Sequence, residues 1–227
     1  MKLIELVRST LNEIKESADI TVSVLSFEPG SFDEERLAKY FFESTGIQIK
    51  SDLKGLLNFP GQTNVEWRGK GEGKLVPSGS FRIENIETSL LQQGNIVPIN
   101  NEDIPAETLT LLKECHYFDT FPNFTWDIAT LLYYDKKADS FKLFFLDKLE
   151  LFPLELSPAE YIQMCMLTKG MYYWQYLFCD ASAQKSVNVY KHPYIDQIIP
   201  FLRATFPEHD YSTLESKYKA WQNAIAK

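Results

Sequence analysis

At 227 residues, 44% hydrophobic and 14% aromatic, the chain carries enough apolar surface for one generous core, which excludes a disordered segment or a disulfide scaffold. A formal net charge of −8 repels nucleic acid and anionic lipid at long range, so neither is an expected partner. The acidity is concentrated: residues 81 to 127 contain two Lys/Arg against eight Asp/Glu.

In chain order, Leu3, Val7, Leu11 and Ile14 recur at helical spacing with charged residues between them, predicting an amphipathic helix that ends near Ser17. The β-branched run Ile20 to Phe27 predicts a strand that turns at Pro29-Gly30. Ser31 and Glu34 form a capping-box pair opening a second helix, which Gly46 stops. Ile47 to Ile49 reads as an extended link, and Ser51 caps a short helix carrying Leu53, Leu56 and Leu57. Val65 to Trp67 and Phe81 to Ile83 alternate as half-buried strands, with a glycine-rich loop at 69 to 73 between them.

Residues 92 to 104 are irregular, and Pro105 is expected at the first position of a short helix whose Leu109 and Leu112 are buried. Ile128 to Tyr134 and Phe141 to Leu146 read as a hairpin of central strands. Ser157, Pro158 and Glu160 punctuate the start of a helix running to Gly170. A further helix is expected from Pro193 to just before Pro207, kinked at Pro200, and a last one capped by Ser212 and Glu215 with a stripe of Leu214, Tyr218, Trp221 and Ile225. Strands follow one another too closely for regular crossovers, so the expected class is α+β: a single domain, mostly antiparallel sheet flanked by helices, with a C-terminal helical extension over 181–227.

Motifs for catalysis and metal binding are missing from this pattern. Gly69, Gly71 and Gly73 with Lys74 lack the Ser or Thr and the spacing of a phosphate loop. Cys115-His116 reads as a core thiol beside a surface imidazole, since catalytic partners meet through the fold. His192 and His209 are isolated, with no metal-ligand spacing. The expectation is no catalytic residue, no cofactor and no metal. Cys115, Cys165 and Cys179 are an odd set without CxxC spacing, the start of the chain lacks a signal-peptide apolar stretch, and no apolar run reaches the roughly 20 residues of a membrane span. A cytoplasmic protein is expected.

Two blocks carry a family resemblance. The first is Gly46-Ile47-Gln48-Ile49-Lys50-Ser51-Asp52-Leu53-Lys54-Gly55-Leu56-Leu57-Asn58, running on to Trp67. The second is Leu156-Ser157-Pro158-Ala159-Glu160-Tyr161 followed by Lys169-Gly170-Met171-Tyr172-Tyr173-Trp174-Gln175-Tyr176-Leu177-Phe178. Together they resemble the SUKH superfamily, which includes bacterial immunity proteins and fungal regulators of cell-wall glucan synthesis. Lys50 and Phe59-Pro60-Gly61 stand where that family often has a proline and an Asn-Gly. The resemblance covers roughly residues 31 to 180 and implies a binding protein without a cofactor that neutralises a partner toxin; its fungal branch implies, alternatively, a regulatory scaffold for cellular enzymes.

The acidic middle supplies the expected partner-binding residues: Glu84, Glu87, Glu102, Asp103, Glu107, Asp119 and Asp127, with Glu114 beside them. A nuclease toxin needs a basic site for its substrate, and an acidic surface is steered to such a site and can cover it. The aromatic run Tyr172 to Phe178 is expected to pack as a helix, with Met171, Trp174 and Phe178 in the core and Tyr173 and Tyr176 pointing elsewhere.

Overall fold

The computed structural model describes residues 3–28, 62–72, 75–84, 105–121, 128–148, 150–180 and 187–226, with isolated positions at 35, 39, 42, 43, 46, 89, 184 and 185. Of the helix expected after Ser31, only Glu35, Lys39, Phe42 and Glu43 are described, all helical, and Gly46, with a φ of 71°, donates its N–H to the Phe42 carbonyl at 2.8 Å. The helix expected after Ser51 and the irregular stretch 92–104 lie outside the described residues.

The fold is α+β around a seven-stranded sheet in which every neighbouring pair is antiparallel and the strands follow chain order. Helix α1 (Leu3–Glu16) buries Val7, Thr10, Leu11 and Ile14, the face its apolar spacing dictates. Strands β1 (Ile20–Phe27), β2 (Thr63–Gly69) and β3 (Ser78–Ile83) follow. Helix α2 (Ala106–Glu114) runs straight into β4 (Cys115–Thr120), and β5 (Ile128–Asp135), β6 (Ser140–Asp147) and β7 (Glu150–Leu154) complete the sheet. Pro105 is the cap residue of α2, one position outside the place expected for it.

The β5–β6 hairpin is set by Asp135, whose carboxylate accepts the N–H of Lys137 at 2.9 Å and of Ala138 at 3.1 Å. That local bond replaces ladder pairing, and Asp139 then takes a left-handed φ of 49° to close the turn. Strands β4 and β7 carry no clear sequence signal. Cys115–Thr120 follows a helix with no turn residue between them, and β7 contains Pro153, tolerated because β7 is an edge strand.

Helix α3 (Pro158–Leu167) starts with both halves of a capping box: Ser157 Oγ accepts from Glu160 N at 3.3 Å, and the Glu160 carboxylate accepts from Ser157 N at 2.8 Å. The aromatic segment that follows is a 3-10 turn, Trp174–Phe178, not an α-helix. The turn is buried on every side, all five of its residues being inside, so the outward placement expected for Tyr176 is wrong.

The segment 192–205 breaks at Gln197 into α4 (His192–Asp196) and α5 (Ile198–Thr205). Pro200 offers no N–H to the preceding turn, so the helix parts ahead of it. Helix α6 (Ser212–Ile225) is capped from outside: Asp210 accepts from Ser212 N at 2.9 Å, and Ser212 itself is the first helical residue. These last helices belong to the main core. Ile195, Ile198, Leu202, Leu214 and Trp221 share one cluster with Val65, Trp67, Phe81 and Trp174, and Trp67 stacks on Phe201 at 5.4 Å. Among the described residues no helix is long and apolar enough to cross a membrane.

Candidate functional site

The sheet has two unlike faces. One meets α1, α3 and the C-terminal helices in the main cluster. The other carries Cys115, Ala129, Leu131 and Leu146, roofed by Leu111 and Leu112 of α2. Around that small cluster Tyr117, Tyr133, Phe144 and Leu151 are only half-buried, and Tyr133 meets Phe144 edge to face at 6.1 Å. The alternation of β5 and β6 places these side chains together, because residues two apart on a strand share a face. Burial, and then the charge of Glu114, raises the Tyr133 hydroxyl above its usual range, so Glu114 stands at the edge of this aromatic patch.

The acidic residues read from the sequence separate into three groups. Glu107 and Glu114, two helical turns apart, are exposed on α2, the helix that roofs this face. Glu84 is half-buried and engaged: Arg82 Nε lies 2.8 Å from its carboxylate, which also accepts from Gln62 Nε2 at 3.0 Å. Asp119 is fully buried and cannot touch a partner. A β-bulge explains it: Tyr117 pairs with Leu131 and Asp119 with Thr130, so the extra residue Phe118 breaks the alternation and both Phe118 and Asp119 turn inward. Glu87, Glu102, Asp103 and Asp127 lie outside the described residues.

Inside, Asp119 accepts from Arg82 N at 2.9 Å and from the Tyr161 hydroxyl at 2.6 Å, and Thr130 lies 2.8 Å from the same hydroxyl. Burial pushes its carboxyl up to about 7, the hydrogen bonds from Tyr161 and Arg82 opposing that rise in part.

Two further charged groups hold elements together. Lys169 is buried, donating from Nζ to Glu13 Oε2 at 2.6 Å and lying 4.9 Å from the Phe206 ring. His209 meets the same Glu13 oxygen at 2.8 Å. Burial lowers the Lys169 ammonium from its ordinary range. Burial alone would raise Glu13, but its bonds to Lys169 and His209 outweigh this and hold it low. Glu13, Glu208 and His209 bring possible metal-ligand atoms within 4.8 Å of one another, a grouping no sequence spacing announces, yet the Lys169 ammonium already occupies the cationic place beside Glu13. A groove of about 370 Å³ between α1 and α3, lined by Leu3, Leu6, Met164 and Leu167, ends at this cluster. The second group ties the C-terminal part to β6: the Tyr176 hydroxyl donates to Asp147 at 2.5 Å, and Lys191 pairs with the same carboxylate.

Trp67, on which the first block singled out in the sequence ends, meets the second block in space, while residues 47–58 of the first block lie outside the described residues. Trp67 Nε1 donates to the Lys169 carbonyl at 2.7 Å, Ser80 N to the Gly170 carbonyl at 2.9 Å, and Tyr172 N to the Ser78 carbonyl at 3.2 Å. Gly170 has a φ of +66°, and a Cβ there would lie 2.3 Å from Phe81, so only glycine fits.

The three thiols are buried and free. Burial pushes Cys115 up to about 12 and raises Cys165 and Cys179 as well, which keeps all three protonated at neutral pH. Cys115 is inside the second-face cluster while its half-buried neighbour His116 alternates to the other side of β4, so the pair forms no dyad. Comparison with known proteins returned no matching family model, no matching curated protein and no matching solved structure.

Proposed function

We propose that this chain is a non-enzymatic, SUKH-like immunity protein that binds and neutralises a partner toxin domain through the second face of its sheet. The observation that carries the reading is the patch itself: half-buried Tyr117, Tyr133, Phe144 and Leu151 beneath a helix that carries exposed Glu107 and Glu114. Aromatic centres with polar rims are the usual anatomy of protein interfaces, since rings give large contact area at small entropic cost and rim charges steer the encounter. An acidic rim suits a basic partner, as a nuclease toxin is. The family reading draws support from the meeting of the Trp67 strand with the Lys169-Gly170 turn, which gives that tryptophan and that turn a shared structural purpose. The three protonated thiols suit the reducing cytoplasm, where such a toxin would act.

Co-expression with the toxin encoded beside its gene tests this. A stoichiometric complex and restored growth are expected, with both lost in a Glu107→Lys/Glu114→Lys/Tyr133→Ser variant that still melts as the parent does. Neither complex nor protection from the parent chain would rule out immunity to that toxin.

A further inference from the structure

The two edges of the sheet are built differently, and the difference marks a second interaction surface. Edge strand β7 is five residues long, carries exposed Glu150 within it, and contains Pro153. It is also covered: Leu154 bridges to Cys179, and Glu155 N donates to the Phe178 carbonyl at 2.9 Å. Short length, proline, charge and cover are the devices by which sheets avoid pairing with other chains.

Edge strand β1 has almost none of them. It runs eight residues, Ile-Thr-Val-Ser-Val-Leu-Ser-Phe, without a charge or a proline, and among the described residues no strand lies on its outer side. Thr21, Ser23 and Ser26 are exposed. The single device is a bulge at Ser23, between Val22 and Val24, which leaves Val24–Phe27 as the longer regular run. Exposed carboxylates bracket the strand, Asp19 before it and Glu28 after it.

The geometry points to β1 as a site of strand addition for an extended, uncharged segment of a partner protein that carries Lys or Arg at both of its ends. Main-chain N–H and C=O groups along the edge supply the affinity, aligned first on Val24–Phe27, and the flanking acids select the ends. The same acids disfavour a second copy of this chain. An antiparallel β1–β1 pair centred on the strand sets Asp19 of each copy against Glu28 of the other, like charge facing like charge. This surface is separate from the aromatic face and stands without the immunity reading.

The test uses the full chain and a capped eight-residue peptide of alternating valine and threonine with lysine at each end. Amide exchange in β1 is expected to slow about tenfold at saturating peptide, while exchange in β7 stays unchanged. A peptide with glutamate at both ends should give no slowing. A Thr21→Lys/Ser26→Lys variant, both changes at exposed positions, should melt as the parent does and lose the protection. No slowing with the lysine peptide, equal slowing with the glutamate peptide, or β1 protection that grows with protein concentration alone would each overturn it, the last by making a second copy the occupant.

Discussion

The two faces of one sheet show how the same backbone serves stability and availability. The main face encloses Trp67, Trp174 and Trp221 completely, and among the described residues every acidic or basic group buried there is held by specific partners: Asp119 by Tyr161 and Arg82, Lys169 by Glu13, Asp147 by Tyr176 and Lys191. The second face has four buried residues under Leu112 of a nine-residue helix and leaves four large side chains half open. A buried polar group without a partner costs more than its bond returns, so the main face tolerates little change. The second face has no such obligation. Its half-open rings lose less on mutation and have surface left to give a partner.

The largest expected effect tests the tightest contact of the main face. Gly170→Val should cost about 4 kcal/mol, combining a strained positive φ with a clash against Phe81, and urea unfolding would read it. A loss below about 1 kcal/mol would show that the turn yields, and the contrast between faces would weaken.

Asp119→Asn comes next and is read through pH. Its folded-state pKa of about 7 lies above the ordinary value of 3.8, so the protonated carboxyl favours the fold. That stability is complete below about pH 4 and declines as pH rises toward 7. Asparagine keeps an acceptor for Arg82 N–H and has no charge to bury, so the variant should gain on the parent across this window, by about 3 kcal/mol at pH 8. Chemical denaturation at pH 4, 6 and 8 measures it; equal differences at all three would remove Asp119 as a titrating group.

Lys169→Met should destabilise by about 2 kcal/mol at neutral pH, because Glu13 loses its cation, and adding Glu13→Gln should recover part of that loss. A double variant as unstable as the sum of the singles would show that the pair contributes packing alone. The smallest effect belongs to the second face: Glu107→Lys/Glu114→Lys should change the unfolding free energy by less than about 0.5 kcal/mol, both residues being exposed. A cost as large as that of Lys169→Met would make α2 a structural lock instead of a rim.

Much of this was legible in the chain. The apolar spacing of α1, the β-branched run of β1, the capping box of α3 and the β5–β6 hairpin are local features, where neighbouring residues decide the backbone, and the structure has them at the expected places. The antiparallel α+β class followed from their order. Strand β4 was not legible, because a strand between two others draws its stability from pairing and carries no turn residue of its own. The aromatic face could have been glimpsed in the hairpin, whose strands are apolar at both parities, with Leu131 and Tyr133 on one side and Leu132 on the other.

What the sequence by itself determined is the locally punctuated elements, β4 and β7 not among them, and the acidic balance. Which acids are available was decided by the tertiary structure alone. One extra residue in β4 sends Asp119 inward beside Tyr161, and α2 carries Glu107 and Glu114 outward. The Lys169–Glu13–His209 cluster likewise joins residues 156 and 196 positions apart. Composition counts charges, whereas burial depends on strand register and on contacts between distant segments, and neither is written in any local stretch of the chain.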